Sequence, residues 1–284
     1  MEDLDKALER VLVAIVYTER NPAAKEAAEK ARMILEGRGI AAELYSASSL
    51  IYSSLPEKVS LAITLGGDGT ILKTVGALGN PEAMILGVNF GRGGYLTEVE
   101  AEDLEKALEK VFARDYAVER KTLLSITVDG ESMCDALNEA YVASQILGKT
   151  LSFEIKRDSE VVAEGLADGL IIASPIGSTA YSFSAGGPIV DDDLEAVILT
   201  PVCPISGLKP MVLSLDRRID VAAGGDYGFS IVIDGYRMRR FDKRSITVAV
   251  SRSNRRVSFL RLRPGGGFAR RVGKKLRGGE ERRG

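Results

Sequence analysis

Ser60-Leu61-Ala62-Ile63-Thr64-Leu65-Gly66-Gly67-Asp68-Gly69-Thr70 is a short apolar run that stops at paired glycines. Ile71 to Leu78 follows as a helix, closed by Gly79-Asn80-Pro81. A strand that enters a helix through a glycine turn is the joint of a parallel α/β sheet, and such sheets bind ligands at the carboxyl edge of their strands. Glycines there let backbone N–H groups approach phosphate oxygens with no Cβ in the way, and the helix N-terminus adds a favourable dipole. The segment is not a P-loop, since no G-x-x-x-x-G-K-[ST] occurs. It is not a dinucleotide fingerprint either, because Thr70-Ile71-Leu72 follows with no third glycine. A tight turn in which Asp68 caps the helix accounts for the same letters.

Outward from this joint the same rhythm continues. Val11 to Tyr17 is a continuous apolar run suited to a strand buried on both faces. Asn21-Pro22 supplies a helix N-cap and an N1 proline. Ala27, Ala31, Ile34 and Leu35 carry the helix that Gly37 or Gly39 ends. Ala41 to Tyr45 and Met84 to Val88 are further strands. Leu104, Ala107, Leu108 and Val111 mark an amphipathic helix.

From Tyr116 the apolar runs shorten and turn signals multiply. Asp129-Gly130, Asp158-Ser159, Gly224-Gly225 and Asp234-Gly235 separate runs such as Leu123 to Val128, Leu151 to Ile155 and Phe229 to Ile233. The reading is an α/β domain with a parallel sheet over 1–105, a mostly-β, sandwich-like domain over 106–260, and a basic C-terminal segment over 261–284. Residues 264–284 carry a local charge of +5, which leaves −7 on the rest of a chain whose total is −2. Phe268, Val272 and Leu276 recur every fourth residue, as in a short docked helix, and the last eight residues read as a frayed tail.

Composition narrows the chemistry. The chain of 284 residues has no histidine, no tryptophan and two cysteines, Cys134 and Cys203. That excludes Ser-His-Asp and Cys-His nucleophile systems, His-bearing zinc sites and a disulfide framework. A general base near neutral pH must be a carboxylate, lysine, tyrosine or the substrate itself. The balance of −2 argues against a nucleic-acid partner. No apolar run reaches the length of a membrane span, so a cytoplasmic protein is expected.

Two more segments carry polar chemistry. Asp168 opens a run, Leu170 to Ala173, that passes into Ser174-Pro175-Ile176-Gly177-Ser178-Thr179-Ala180-Tyr181-Ser182-Phe183-Ser184-Ala185-Gly186-Gly187-Pro188. Hydroxyls with glycines suit a closely approached polar ligand such as a nucleotide, and a tyrosine can cover a base. A Ser-rich surface loop is the plainer alternative. Asn138-Glu139, set between apolar residues, can read paired ribose hydroxyls or a base edge. A solvent-facing strand edge would look the same.

Together with Asn89-Phe90-Gly91-Arg92-Gly93-Gly94-Tyr95-Leu96-Thr97-Glu98, these segments resemble the NAD kinases, which phosphorylate the adenosine 2′-hydroxyl of NAD to give NADP. The likeness runs from the first strand to the end of the β region, and GSTAYSFSAGGPIV at 177–190 is its most discriminating part. GGDG alone is shared with diacylglycerol kinases and some phosphofructokinases. The resemblance implies that Asp68 is the general base, with Gly69 beside it at the ligand and Lys73 a basic ligand contact. A solvated first-turn lysine explains Lys73 equally well. Asn138 and Glu139 match the pair that holds the dinucleotide, and Lys149 is similar to a basic residue eleven positions later. Asp168, Thr179, Ala180, Tyr181, Ser182, Phe183 and Ser184 match the remaining dinucleotide contacts.

NAD and ATP, or polyphosphate, are the implied substrates. No carboxylate cluster at metal-ligand spacing is visible, so Mg²⁺ or another divalent cation is expected to arrive with the phosphate donor and not at a resident metal site. Assembly as a homodimer or homotetramer is also implied. The chain departs from the family pattern at Gly93 and Tyr95, where Leu and Phe are common, at Ile205 for a frequent histidine, and at Tyr236 for a glutamine. A lipid or sugar kinase would explain residues 60–75 but not the later motifs. A non-catalytic dinucleotide sensor would have no use for Asp68.

Overall fold

The computed structural model describes residues 12–91, 94–262 and 267–277. They form two compact units. The first runs to Lys121 and resumes at Val257; the second is Thr122–Arg256.

In the first unit the strands are β1 (Leu12–Tyr17), β2 (Ala41–Ser46), β3 (Val59–Gly66), β4 (Met84–Asn89) and the short β5 (Val99–Glu100). The pairs β1–β2, β1–β3, β3–β4 and β4–β5 are all parallel, as the alternation of strands and helices requires. Helix α1 (Pro22–Glu36) starts as expected. The Asn21 side chain accepts from the Ala23 N–H, Pro22 takes the first helical turn, and Gly37 caps the end. Its buried face is Ala24, Ala28, Ala31 and Leu35, which pack with Ile15, Ile63, Leu65 and Leu86 of the sheet. Small residues on that face allow close approach of helix to sheet. Helix α2 (Asp68–Ala77) follows β3, and helix α3 (Leu104–Phe112) adds Leu104, Ala107 and Leu108 to the same core.

The second unit holds β6 (Ala117–Val128), β7 (Glu131–Ala136), β8 (Glu139–Ser144), β9 (Leu151–Arg157), β10 (Glu160–Ala167), β11 (Gly169–Ala173), β12 (Ala196–Val202), β13 (Met211–Ser214), β14 (Ile219–Gly224), β15 (Phe229–Ile233), β16 (Arg237–Phe241) and β17 (Ser245–Arg261). One antiparallel layer has the order β13-β12-β11-β8-β15-β16. A second antiparallel run is β10-β9-β14-β17, with β6 and β7 as a hairpin. Phe153, Ile155, Val221 and Val248 from one layer and Val142, Ile172, Leu199 and Ile231 from the other share one core. Three of the anticipated turns have both central residues at positive φ: Asp129-Gly130, Asp158-Ser159 and Asp234-Gly235. That is the twist tight hairpins require.

β6 and β17 are long strands that begin or end beyond the second unit. Residues 106–121 and 257–260, expected with the β-rich domain, therefore fall in the first unit. Helix α4 (Tyr181–Ser184) belongs to the second unit. Helix α5 (Phe268–Arg277), the expected C-terminal helix, packs back on the first unit through an ion pair of Arg271 with Glu119 at 3.2 Å. The stretch read as a frayed tail lies, from residue 278, outside the described residues. No helix among the described residues is long and apolar enough to cross a membrane.

Candidate active site

Asp68 is not a helix cap. Gly67 occupies the N-cap position without a side-chain bond, and Asp68 is the first residue of α2. Its carboxylate reaches the segment after β4 instead, where it accepts the Tyr95 N–H at 3.0 Å and the Leu96 N–H at 2.9 Å. Each oxygen is thus oriented by one main-chain donor and keeps acceptor capacity for a second partner. The glycines around it divide into two kinds. A Cβ on Gly66 would collide with the Thr70 side chain, and one on Gly94 would overlap Thr97 and stand 3.1 Å from Asp68 Oδ1. A Cβ on Gly67 or Gly69 would meet nothing. The first pair permits the turn; the second leaves its backbone open to a ligand.

The segment that holds Asp68 is itself anchored. The Phe90 N–H donates to the Gly66 carbonyl at 3.0 Å, and buried Asn89 accepts from Gly91 N–H and donates to Glu100. The Arg261 guanidinium donates to the Leu96 carbonyl at 3.3 Å, and the Arg271 guanidinium lies 5.4 Å from the Tyr95 ring centre. Glu119 joins both arginines and buried Lys121. Burial raises its pKa, but these cations outweigh that and hold the carboxyl at about 2. Lys73 is half-buried on α2.

In the second unit, Asn138 and Glu139 are buried and not at a solvent-facing edge. The Asn138 carbonyl accepts the Ser174 N–H at 2.8 Å, and the Ser174 hydroxyl bonds the Leu137 carbonyl and the Gly177 N–H. A Cβ on Gly177 would overlap the Asn138 carbonyl, so only glycine lets the two motifs meet. Glu139 accepts a backbone hydrogen bond from Tyr181. The Tyr181 ring stands edge-on to Tyr141, centres 5.3 Å apart. Asp168, half-buried, adds its charge near Tyr141, whose hydroxyl is pushed up to about 12 by burial first, then by its neighbours. Asn138, Glu139, Asp168 and the 174–184 segment are therefore one constellation. Lys149 lies elsewhere in its contacts, 5.3 Å from the Tyr227 ring centre.

Most hydroxyls of the Ser/Thr-rich segment face inward. Ser178 bonds both the carbonyl and the N–H of Val190, Thr179 bonds the Ile176 carbonyl, and Ser182 bonds Thr200 at 2.8 Å. These hydroxyls fold the turn. Tyr181, Phe183 and Ser184 are the exposed side chains, and Ala180 is half-buried.

The sequence marks Asp234 as a turn residue before the Tyr236 departure and assigns its side chain no role. Its buried carboxylate accepts from Leu137 N–H at 2.9 Å, Asn138 N–H at 2.7 Å and Glu139 N–H at 3.2 Å. The Asp-Gly pair signals a hairpin and says nothing about a side chain turned inward over nearly a hundred residues of separation. Tyr95 and Leu96 lie in the Asn89–Glu98 motif, but their main-chain bonds to Asp68, like the pairing of Arg271 with Glu119, join residues far apart in sequence and leave no local signal.

Comparison with known proteins gives the family. The family model of the ATP-NAD kinase N-terminal domain matches residues 5–116, and that of the ATP-NAD kinase C-terminal domain matches 137–262. An NAD kinase of Methanothermobacter thermautotrophicus is 42% identical over 219 residues, 76% of either chain. One of Dehalococcoides mccartyi is 33% identical over 278 residues, covering 95% of this chain and 97% of that one. The crystal structure of an NAD kinase from Archaeoglobus fulgidus in complex with ATP superposes with a TM-score of 0.77 at 31% identity, over 93% of this chain and 98% of that one. Yeast NADH kinase complexed with NADH shares the fold, with a TM-score of 0.81 at 24% identity, over 93% and 87%. With Asp68 at the glycine turn, the buried Asn138–Glu139 pair and both family domains matched in order, the chain belongs to the NAD kinase family.

Proposed function

We propose that this chain phosphorylates the adenosine 2′-hydroxyl of NAD, with ATP as donor, to make NADP. The observation that carries the reading is the Asp68 carboxylate at the start of α2, oriented by two main-chain N–H donors beside the open Gly67 and Gly69. In the reaction the 2′-oxygen bonds to the terminal phosphorus, the bond from that phosphorus to the leaving ADP breaks, and the hydroxyl proton passes to Asp68. Positioning and charge neutralisation supply the rate, with no covalent intermediate on the protein.

Gly69 and Lys73 act on the donor side. Asn138, Glu139, Asp168 and residues 179–184 hold the dinucleotide, with Tyr181 against its base, and Lys149 adds positive charge. Mg²⁺ enters with the donor as part of that substrate. The enzyme works in the cytoplasm as a homodimer or homotetramer. The support is the family membership together with the ATP complex of the Archaeoglobus relative.

The test is NADP formation from NAD and Mg²⁺ with either ATP or polyphosphate. NADP with ATP supports the reading, and NADP with polyphosphate as well widens the donor class. NAD binding with no NADP from either donor would make the protein a sensor instead.

A further inference from the structure

Asp234 sits in the tight turn between β15 and β16, at φ +49. Its own N–H donates to the Glu139 carbonyl at 2.9 Å, while its carboxylate collects the N–H groups of Leu137, Asn138 and Glu139. Three consecutive main-chain donors converging on one carboxylate form an anion nest. Without that carboxylate they would be buried donors with no partner, each costly. The turn carrying Asn138 and Glu139 is thus closed from both directions by one residue.

Glu139 is 6% exposed, and its Oε2 has no hydrogen-bond partner. The charge of Asp234 bears directly on it. Two neighbouring buried carboxyls do not both ionise, and the one with three N–H donors keeps the charge. We propose that Asp234 is a positioning residue of the dinucleotide site: it sets the Asn138–Glu139 turn and keeps the proton on Glu139, so that Glu139 meets NAD as a hydrogen-bond donor. This rests on the reading that the Asn138–Glu139 pair touches NAD.

The surroundings agree. Burial, then the Asp234 charge, pushes Glu139 up to about 8. The other titratable groups around the pair are Tyr181 on α4, Tyr141 on β8, Asp168 before β11, Cys134 and Asp135 on β7, Tyr236, and Arg237 on β16. Burial raises Tyr141, Tyr236 and Cys134, so these stay neutral near pH 7. Asp135 is bonded to Ser253 and paired with Arg255. Burial pushes Asp234 up to about 6, against its three N–H donors and then Arg237, which favour the charged form, so it still gives up its proton before Glu139.

The experiment is NAD binding by calorimetry from about pH 6 to pH 9.5 for wild type, Glu139→Gln, Glu139→Ala and Asp234→Asn, each checked for folding by its thermal transition. Wild-type affinity should fall by about tenfold per pH unit above the Glu139 midpoint. Glu139→Gln, whose neutral amide still donates, should keep neutral-pH affinity within about threefold of wild type and lose that dependence. Asp234→Asn should bind at least about tenfold more weakly and show its midpoint at lower pH, because the neighbouring charge is gone. A purely structural Asp234 would weaken binding with the midpoint unmoved, and that result overturns the proposal. So does pH-flat wild-type affinity.

Should Asp234→Asn not fold, the infrared difference between wild type and Glu139→Gln at pH 7 decides. A protonated-carboxyl stretch supports the proposal, and a carboxylate stretch ends it. Wild-type affinity in Glu139→Ala would instead remove the underlying assignment of the pair to NAD.

Discussion

The Leu96 backbone N–H donates to Oδ1 of Asp68 at 2.9 Å, from a segment 28 residues further along the chain. With the Tyr95 N–H on Oδ2 it fixes the plane of the carboxylate while leaving a lone pair on each oxygen. As the proposed proton acceptor, a carboxylate held this way needs no histidine, which the chain lacks. It depends instead on whatever holds residues 94–96.

Gly94 tests that dependence. An alanine there puts a methyl group against Thr97 and 3.1 Å from Asp68 Oδ1, so the donor segment must shift. A misplacement of the order of 1 Å costs about 100-fold in rate. The kcat of Gly94→Ala should fall about 10- to 100-fold, with the KM for NAD changed by less than about threefold. Steady-state kinetics decide, and an unchanged kcat would show that the segment does not orient the base.

Arg271 is the second support. It pairs with Glu119 and lies over the Tyr95 ring, so it ties α5 to the residue whose N–H meets Asp68. Loss of a partly buried, hydrogen-bonded pair and a cation–π contact should lower stability by about 1–3 kcal/mol. Arg271→Ala should therefore melt earlier and turn over more slowly, and Arg271→Lys should restore part of the stability. A melting temperature equal to wild type would detach α5 from this account.

Acid should release the same anchor. The folded Glu119 carboxyl lies at about 2 against an ordinary value of 4.5. A depressed carboxylate contributes stability that is complete above its unfolded pKa and is lost as pH falls toward the folded one. The contribution is about 3 kcal/mol, present above about pH 4.5 and lost between there and about pH 2. Denaturant unfolding of wild type and Glu119→Gln should differ at pH 6 and converge near pH 2. A difference that stays constant over that range would mean Glu119 is not the titrating group.

Gly177→Ala probes the proposed dinucleotide contacts. Its methyl would overlap the Asn138 carbonyl and push the 174–184 segment off the turn. Overpacking of this kind costs about 1–3 kcal/mol. NAD affinity should drop along with thermal stability, while Gly130→Ala, strained by its φ of +83 but away from these motifs, should lose stability alone. Equal NAD affinity in Gly177→Ala and wild type would contradict the assignment.

Much of the frame was legible because local rules decide it. Asn21-Pro22 starts α1, the β3 run ends at Gly66, and Asp-Gly pairs mark hairpins. The direction of a side chain is not a local matter. Asp68 looks like a cap until the partners at 95 and 96 are placed. Ser178, Thr179 and Ser182 read as ligand hydroxyls, yet they satisfy Val190, Ile176 and Thr200, because a buried turn must bond its own polar groups first. Asp234 carries the same lesson in reverse, a turn residue that holds the Asn138–Glu139 motif. Residues 106–121 sort with the α/β unit because α3 packs into its core through Ala107 and Leu108, and because β6 starts at Ala117, ahead of its apolar core, Leu123 to Val128.

In the proposed reaction Asp68 accepts the proton of the NAD 2′-hydroxyl. The most direct measurement compares wild type with Asp68→Asn, following NADP formation from NAD and Mg²⁺–ATP alongside calorimetric binding of NAD. Asp68→Asn should lose at least about 100-fold in kcat, the usual size of a general-base contribution, with NAD affinity within about threefold of wild type. Turnover by Asp68→Asn near the wild-type rate would contradict it.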